Sequence, residues 1–217
     1  GVRTALATMG YCLSRAQREE LRRIETVKVY ESCFRLEWMD DPWDDVEQAG
    51  RWLLDVEDDF EPDVIHLNGY AHAALPWSAP VLVVGHSCVL SWWQAVKKAP
   101  APASWSRYGR EVRRGLHAAH RVIAPTRAML ECLDQLYGPL PGPGVISNAR
   151  DPDLFAPKAK EPFIFAAGRL WDEAKNIMIL DQVAPHLPWP IYVAGDAQHP
   201  SGTRRDPQHI RPVGSFS

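Results

Sequence analysis

Two cations flank a single turn of the sequence. In the stretch FAAGRLWDEAKN, an apolar run ends at Gly168, Arg169 follows at once, and Lys175 comes six residues later, where a helical pattern begins. Guanidinium and ammonium groups bind anions through charge-assisted hydrogen bonds, and the amides and dipole at a helix start also attract anions. The spacing therefore predicts an anion site. The alternative is a set of exposed ion pairs with the neighbouring acidic residues, which would contribute little.

Polar and aromatic side chains follow two other apolar runs. The segments DVIHLNG (63–69) and VLVVGHS (81–87) are continuous apolar runs, which is typical of strands buried on both faces. In parallel α/β sheets, ligands bind at the carboxyl ends of strands. The candidates at and just after the ends of these two segments are Asn68, Tyr70, His72, His86, Ser87 and Trp92. Each of them could instead cap a loop or pack in the core.

The segment VVGHSCVLS has a rival interpretation. It resembles the nucleophile elbow of α/β-hydrolases, Gly-x-Ser-x-Gly, in which Ser87 would attack with His86 beside it. Val89 stands where that motif has glycine, and a β-branched side chain would crowd the strained turn between strand and helix. The downstream order of acid and then histidine is not evident either. The hydrolase is therefore the alternative enzyme class.

Three histidines could also be considered as ligands of a metal ion. His66 and His86 lie within the same two predicted strand segments, and His72 follows the first of them. Their spacing matches no zinc pattern, and acidic partners are absent. We therefore expect no metal.

Composition limits the class of protein. The 217 residues are 46% hydrophobic with a net charge of −3, which indicates a globular chain and argues against general nucleic-acid binding. No apolar stretch approaches the roughly 20 residues that span a bilayer, although peripheral membrane contact stays open. The cysteines at 12, 33, 88 and 132 are widely spaced. We expect them to be reduced thiols in a cytoplasmic protein.

Strand-like and helical runs alternate along the chain, and this predicts a doubly wound parallel α/β sheet. Helices are predicted at about 42–60, 104–120 and 126–138. Strands are predicted at 2–8, 27–30, 63–69, 81–87, 121–126, 144–149, 163–168 and 191–196.

Two stretches rich in proline and polar residues, 137–144 and 151–162, have the composition of linkers. We place a domain boundary near residues 150–160, before the strand at 163–168, which gives domains 1–155 and 156–217. The second domain is too short for a complete doubly wound sheet. The first begins inside a strand with no Gly-rich βα turn before it, so we expect its first strand to be missing. We expect both domains to be incomplete parts of a longer protein.

The motifs together resemble the retaining GT-B glycosyltransferases of family 4. GRLWDEAKN is similar to their Gly-Arg-Leu…Lys-Gly/Asn signature, and RVIAPTRAML to a stretch that reads Val-Ile-Ala-x-Ser-x-x-Met. VISNARDPDLF is similar to their Ile-x-Asn-Gly-x-Asp-x-x-x-Phe, with Ala149 in place of the usual glycine. PDVIHLNG and VLVVGHSC match the strands that carry the substrate loops. The order and spacing of these motifs extend over nearly the whole chain.

This resemblance implies two Rossmann-like domains and a hexosyltransferase-like enzyme that transfers a sugar from a nucleotide-sugar donor with retention of configuration. Gly168, Arg169 and Lys175 would bind the donor diphosphate, and His86 would reach the sugar at the reacting centre across a cleft. Neither a metal nor another cofactor is implied. The acceptor-side candidates are Asn68, Tyr70, His72 and Trp92.

The resemblance leaves the partner molecules unspecified. The acceptor could be a sugar, a glycan or a small molecule, and neither the sugar nor the nucleotide of the donor is identified. The family's Glu-containing donor loop would lie after Ser217, so we expect this stretch alone to be inactive or nearly so. A nucleotide-binding module without catalysis is the alternative that is not an enzyme.

Overall fold

The computed structural model describes residues 1–199, 202, 204 and 206–215. The chain divides into two compact units. Unit 1 comprises Gly1–Gln94 and Ala99–Ala149, and unit 2 comprises Ala95–Lys98 and the chain from Arg150 onward. Each unit has parallel strands connected by helices, so each is of the α/β class.

Unit 1 contains two parallel sheets. One consists of β1 and β2, and the other has four strands in the order β3-β4-β5-β6. All neighbouring strands in both sheets are parallel. The strand bounds are β1 Thr4–Thr8, β2 Val27–Glu31, β3 Ile65–Leu67, β4 Val81–Val84, β5 Arg121–Ala124 and β6 Gly144–Val145.

The helices of unit 1 connect these strands. Their bounds are α1 Arg15–Leu21, α2 Trp43–Phe60, α3 Val89–Trp92, α4 Ser106–Ala118 and α5 Arg127–Tyr137. Helix α5 begins after Thr126, whose hydroxyl accepts a hydrogen bond from the amide of Met129, and it ends at Gly138. Those ends are as the sequence predicts.

The core of unit 1 lies between the four-stranded sheet and helices α4 and α5. Val83, Val112, Leu116, Val122 and Leu133 are fully buried there. Helix α4 approaches the chain after β3 so closely that a Cβ at Gly115 would lie 1.8 Å from the carbonyl oxygen of Tyr70. The segment after β3 therefore packs directly against α4.

Unit 2 contains the parallel sheet β7-β8-β9 and helix α6. The bounds are β7 Ile164–Ala167, α6 Met178–Val183, β8 Ile191–Ala194 and β9 Arg211–Gly214. Its buried cluster consists of Leu170, Ile177, Ile191, Val193 and Ile210. The sequence did not predict β9, because a proline and an arginine within its four residues obscure the strand pattern.

The predicted fold class, Rossmann-like parallel α/β, is confirmed. Each predicted strand is present, but most are shorter than predicted. Asn68, His86 and Gly168 lie in the loops that follow β3, β4 and β7, and not in the strands themselves. Within the described residues, no helix is both long enough and apolar enough to cross a membrane.

The prediction that all four cysteines are reduced is wrong. Cys12 and Cys33 form a disulfide with a Cα–Cα distance of 5.7 Å, whereas Cys88 and Cys132 are free thiols. Strands β1 and β2 are parallel neighbours, so their carboxyl ends bring together two loops that are 21 residues apart in sequence. The cysteine argument for a cytoplasmic location therefore no longer holds.

Candidate functional site

His86 and Asn68 lie together at the carboxyl end of the four-stranded sheet. Asn68 follows β3, His86 follows β4, and these strands are parallel neighbours. The His86 ring nitrogen Nε2 lies 3.2 Å from the Asn68 Oδ1. Both side chains are exposed. When Nε2 donates its proton to this oxygen, Nδ1 is left as an acceptor, so the Asn68/His86 pair presents an oriented imidazole to solvent.

Tyr70 supports this pair from inside unit 1. Its side chain is only 2% exposed, and its hydroxyl donates a hydrogen bond of 2.8 Å to the carbonyl oxygen of Ser87. Burial raises the pKa of Tyr70, so the hydroxyl stays protonated and remains a donor. A Cβ at Gly85 would lie 2.5 Å from Leu133 Cδ1 and 3.2 Å from the Tyr70 hydroxyl, so a glycine suits this close approach.

His72 is also internal. It is 7% exposed, and its Nε2 lies 2.9 Å from the carbonyl oxygen of Val46 on α2. Burial lowers the pKa of His72, which keeps the ring neutral, and the carbonyl acceptor places the proton on Nε2. Two of the four acceptor-side candidates, Tyr70 and His72, are therefore enclosed, whereas Asn68 is exposed.

Trp92, the remaining acceptor-side candidate, is half-buried on α3. Its ring lies edge-on to that of Trp93, with 5.8 Å between the ring centroids. The aromatic pair therefore combines packing with partial access to solvent.

The local geometry at Ser87 does not favour a hydrolase. Helix α3 begins at Val89 with Cys88 as its N-cap, so the serine precedes the cap. The ring of His86 bonds Asn68, and within the part of the chain that the structure describes no hydrogen bond joins the Ser87 hydroxyl to a histidine. Among those residues, no three His, Cys, Asp or Glu side chains are grouped to hold a metal ion.

The turn after β7 in unit 2 carries the predicted anion-binding residues. The Gly168 amide donates to the Ala194 carbonyl at 2.8 Å, which fixes the start of the turn against β8. The Arg169 guanidinium donates to the Asp172 carboxylate at 2.5 Å and lies 4.8 Å over the Trp171 ring. About half of the Arg169 side chain is exposed. The guanidinium is thus held on two sides and open to solvent on others.

Lys175 lies in a different element from the predicted one. It ends the 3₁₀ turn Glu173–Lys175, which Asp172 caps by accepting from the Ala174 amide at 3.0 Å. Asn176 adopts a left-handed conformation with φ 48°, which interrupts the chain before α6 begins at Met178. The prediction that Lys175 sits in the first turn of a helix is therefore wrong.

The predicted anion site would therefore depend on side-chain charge and not on a helix start, since α6 begins only at Met178 and has six residues. The Lys175 ammonium is exposed and has no ion-pair partner among the described residues. Arg169 and Lys175 therefore lie on the same turn, one oriented by Asp172 and the other open to solvent.

Gly195 is a determinant of this turn that the sequence analysis missed. It has φ +142°, and a Cβ there would lie 2.1 Å from the Gly168 carbonyl oxygen. Only glycine permits the chain after β8 to run this close to the turn that carries Arg169 and Lys175. The signal was present in the sequence, because a glycine ends the apolar run IYVAG.

The sequence matches the model of one protein family. The match to Glycosyltransferase Family 4 covers residues 4–154, more than half of the chain. It includes Asn68 and His86 and ends before Arg169 and Lys175. No curated protein sequence matches this chain.

One of two solved structures compared with this chain shares its fold. The sucrose-phosphate synthase of Thermosynechococcus elongatus superposes with a TM-score of 0.67 at 14% identity, covering 99% of this chain and 71% of that one. Glycyrrhiza uralensis UGT73P12, complexed with glycyrrhetinic acid 3-O-monoglucuronide, has a TM-score of 0.49 at 8% identity, covering 93% of this chain and 64% of that one. The first match supports the GT-B type of α/β fold, and the second adds nothing to it. On the family match, this chain belongs to Glycosyltransferase Family 4.

Proposed function

We propose that the protein transfers a sugar from a nucleotide-sugar donor to an acceptor with retention of configuration. The observation that carries this proposal is the exposed Asn68/His86 pair, which lies at the carboxyl ends of two neighbouring parallel strands within the family-matched residues. This is where α/β sheets bind ligands, and an oriented imidazole suits a contact with a sugar hydroxyl or with the reacting carbon's substituents.

In the proposed reaction, the bond between the sugar's anomeric carbon and the diphosphate oxygen breaks. The acceptor oxygen bonds to that carbon on the same face, and its proton passes to the departing diphosphate. His86 contacts the sugar and Asn68 holds the imidazole in one orientation, so the histidine need not reorganise as the bond breaks. The acceptor is a hydroxyl compound, either a sugar, a glycan or a small molecule.

We assign the leaving diphosphate to Gly168, Arg169 and Lys175. The bond to Asp172 occupies one N–H of the Arg169 guanidinium and leaves others for phosphate oxygens. A guanidinium and an ammonium together offset much of the charge that develops on the departing diphosphate. We therefore propose that the reaction needs no metal ion, and turnover should be unchanged when a chelator is added.

The experiment uses water as the acceptor, because the natural acceptor is unidentified. The purified full-length protein that contains this chain is used here and in every later activity assay. It is incubated with UDP-α-glucose, and separately with GDP-α-mannose, while proton NMR follows the anomeric signals. Retention predicts that the α-sugar appears first and then mutarotates. First appearance of the β-sugar would overturn retention, and binding of UDP or GDP without any sugar release from these donors would favour a non-catalytic nucleotide-binding module.

A further inference from the structure

Glu37 is a buried carboxylate that the proposed reaction does not use. It lies in the loop after β2, and its side chain is 7% exposed. Its oxygens accept hydrogen bonds from the backbone amide of Tyr70 at 3.0 and 3.2 Å and from that of Ala71 at 2.6 Å. No cation pairs with it among the described residues, so these amides are what compensates the buried charge.

The two residues whose amides bind Glu37 lie close to the Asn68/His86 pair. Tyr70 follows Asn68 by two residues, and its hydroxyl bonds the carbonyl of Ser87, the residue after His86. Tyr70 is thus fixed at its backbone by Glu37 and connects the loop after β3 to the loop after β4. Both members of the pair are adjacent to this connection.

We propose that Glu37 is a positioning residue for the Asn68/His86 pair, acting through the backbone and hydroxyl of Tyr70. The inference rests on the proposed function, in which His86 contacts the sugar. A shift of about 1 Å in such a group can reduce turnover by about a hundredfold. Loss of Glu37 should therefore lower turnover through His86, although Glu37 touches no substrate.

A matched control is available in the same unit. Glu57 on α2 is also 7% exposed, and its carboxylate accepts from the amides of Ser78 at 2.9 Å and Ala79 at 3.0 Å. That loop precedes β4, so it lies at the opposite end of the strand from His86. Glu57→Gln removes a comparable buried carboxylate without disturbing the chain beside the pair.

The first measurement is structural and independent of activity. In the ¹⁵N-labelled protein, Glu37→Gln should change the His86 ring nitrogen resonances and speed hydrogen exchange at the amides of Tyr70 and Ala71. Glu57→Gln should speed exchange at Ser78 and Ala79 and leave the His86 resonances in place. Unchanged His86 resonances in Glu37→Gln would overturn the proposal whether or not the protein transfers sugar.

The second measurement is release of UDP or GDP from UDP-glucose or GDP-mannose. Glu37→Gln should lower kcat by about tenfold to a hundredfold with little change in KM, and it should have little further effect in a His86→Ala background. Additive losses in the double variant would contradict action through His86. If neither the wild type nor any variant turns over either donor while the His86 resonances move in Glu37→Gln, the proposed function fails and the positioning link stands.

A second variant tests the same connection in case Glu37→Gln does not fold. Tyr70→Phe deletes only the hydroxyl that reaches Ser87 and keeps the buried ring. It should shift the His86 resonances in the same direction and lower kcat by a smaller factor. A silent Tyr70→Phe together with a perturbed Glu37→Gln would restrict the effect to the backbone of the loop after β3 and overturn the role of the hydroxyl.

Discussion

At the scale of single residues, Arg169 and Lys175 differ in how they are held. Asp172 and Trp171 fix the guanidinium of Arg169, whereas Lys175 is exposed and extends from the same turn without an ion-pair partner among the described residues. If both bind a diphosphate, each contributes charge-assisted hydrogen bonds that a surface loop would not provide.

We expect Arg169→Ala and Lys175→Ala each to weaken the binding of UDP or GDP by about tenfold or more, because a hydrogen bond to a charged group contributes about 1.5–3 kcal/mol. Arg169→Lys should also weaken binding, since an ammonium cannot form the paired contacts of a guanidinium. Calorimetric titration measures the affinities. Arg150→Ala and Lys158→Ala are controls at exposed cations of unit 2. Unchanged affinity in both Arg169→Ala and Lys175→Ala would mean that the turn is a charged surface loop.

The buried Glu37 carboxyl should make the free energy of unfolding depend on pH. Burial raises the pKa of the Glu37 carboxyl, only partly offset by its bonds to the amides of Ala71 and Tyr70, and Glu111 raises it further. The folded chain therefore binds this proton more tightly than the unfolded chain does. The stabilisation is fully present below the ordinary carboxyl pKa and is lost as pH rises through the raised pKa.

Urea unfolding of the wild type and of Glu37→Gln at a series of pH values measures this contribution. The difference in unfolding free energy, wild type minus variant, should become smaller as pH rises across that window. A difference that grows with pH would mean that the amide hydrogen bonds outweigh burial and lower the pKa instead.

At the scale of elements, the turn after β7 depends on the close approach of β8. Gly195→Ala would place a Cβ 2.1 Å from the Gly168 carbonyl oxygen. We expect a loss of about 3 kcal/mol or more in unfolding free energy, together with weaker binding of UDP or GDP, because the clash displaces backbone and adds to the strain of the positive φ.

Gly214→Ala is the matched control for this substitution. Gly214 also has a positive φ, +84°, but nothing lies within 4 Å of its ideal Cβ. It should show only the conformational cost of about 1–2 kcal/mol. Equal losses in the two variants would show that the close approach to Gly168 is unimportant.

The disulfide connects two loops of unit 1, those that follow β1 and β2. Glu37 lies four residues after Cys33 in the second of these loops. Cross-linking residues 21 apart restricts the unfolded chain, and by the chain-entropy estimate this contributes about 3 kcal/mol.

Reduction, or the double replacement of Cys12 and Cys33 by alanine, should therefore lower the unfolding free energy by about that amount. Urea unfolding with and without reductant measures the loss. Addition of reductant to the double-alanine variant is the control and should change nothing. Equal stability of the oxidised and reduced wild type would contradict a structural role for this bond.

At the scale of the whole molecule, the sequence predicted the class of fold because the alternation of apolar strands and amphipathic helices is a local signal. Thr126 and Gly138 were correctly assigned as helix ends for the same reason. The two strand ends that bring Asn68 and His86 together were also predictable, because both follow long apolar runs.

Most of the features that the sequence did not predict depend on contacts between distant segments. The disulfide requires β1 and β2 to be neighbours, and the burial of Tyr70 and His72 depends on α4 and α2 packing against the chain after β3. The break between Lys175 and α6 is a local exception of another kind, since Asn176 adopts a left-handed conformation that helical periodicity does not reveal.

The most direct test of the account compares the two residues that separate a glycosyltransferase from a hydrolase. His86→Ala and Ser87→Ala are each assayed for release of UDP or GDP from UDP-glucose and GDP-mannose, with unfolding free energies measured in parallel. The account predicts that His86→Ala lowers turnover by about two or more orders of magnitude with little change in stability, and that Ser87→Ala turns over nearly as the wild type does. An inactive Ser87→Ala together with an active His86→Ala would contradict it.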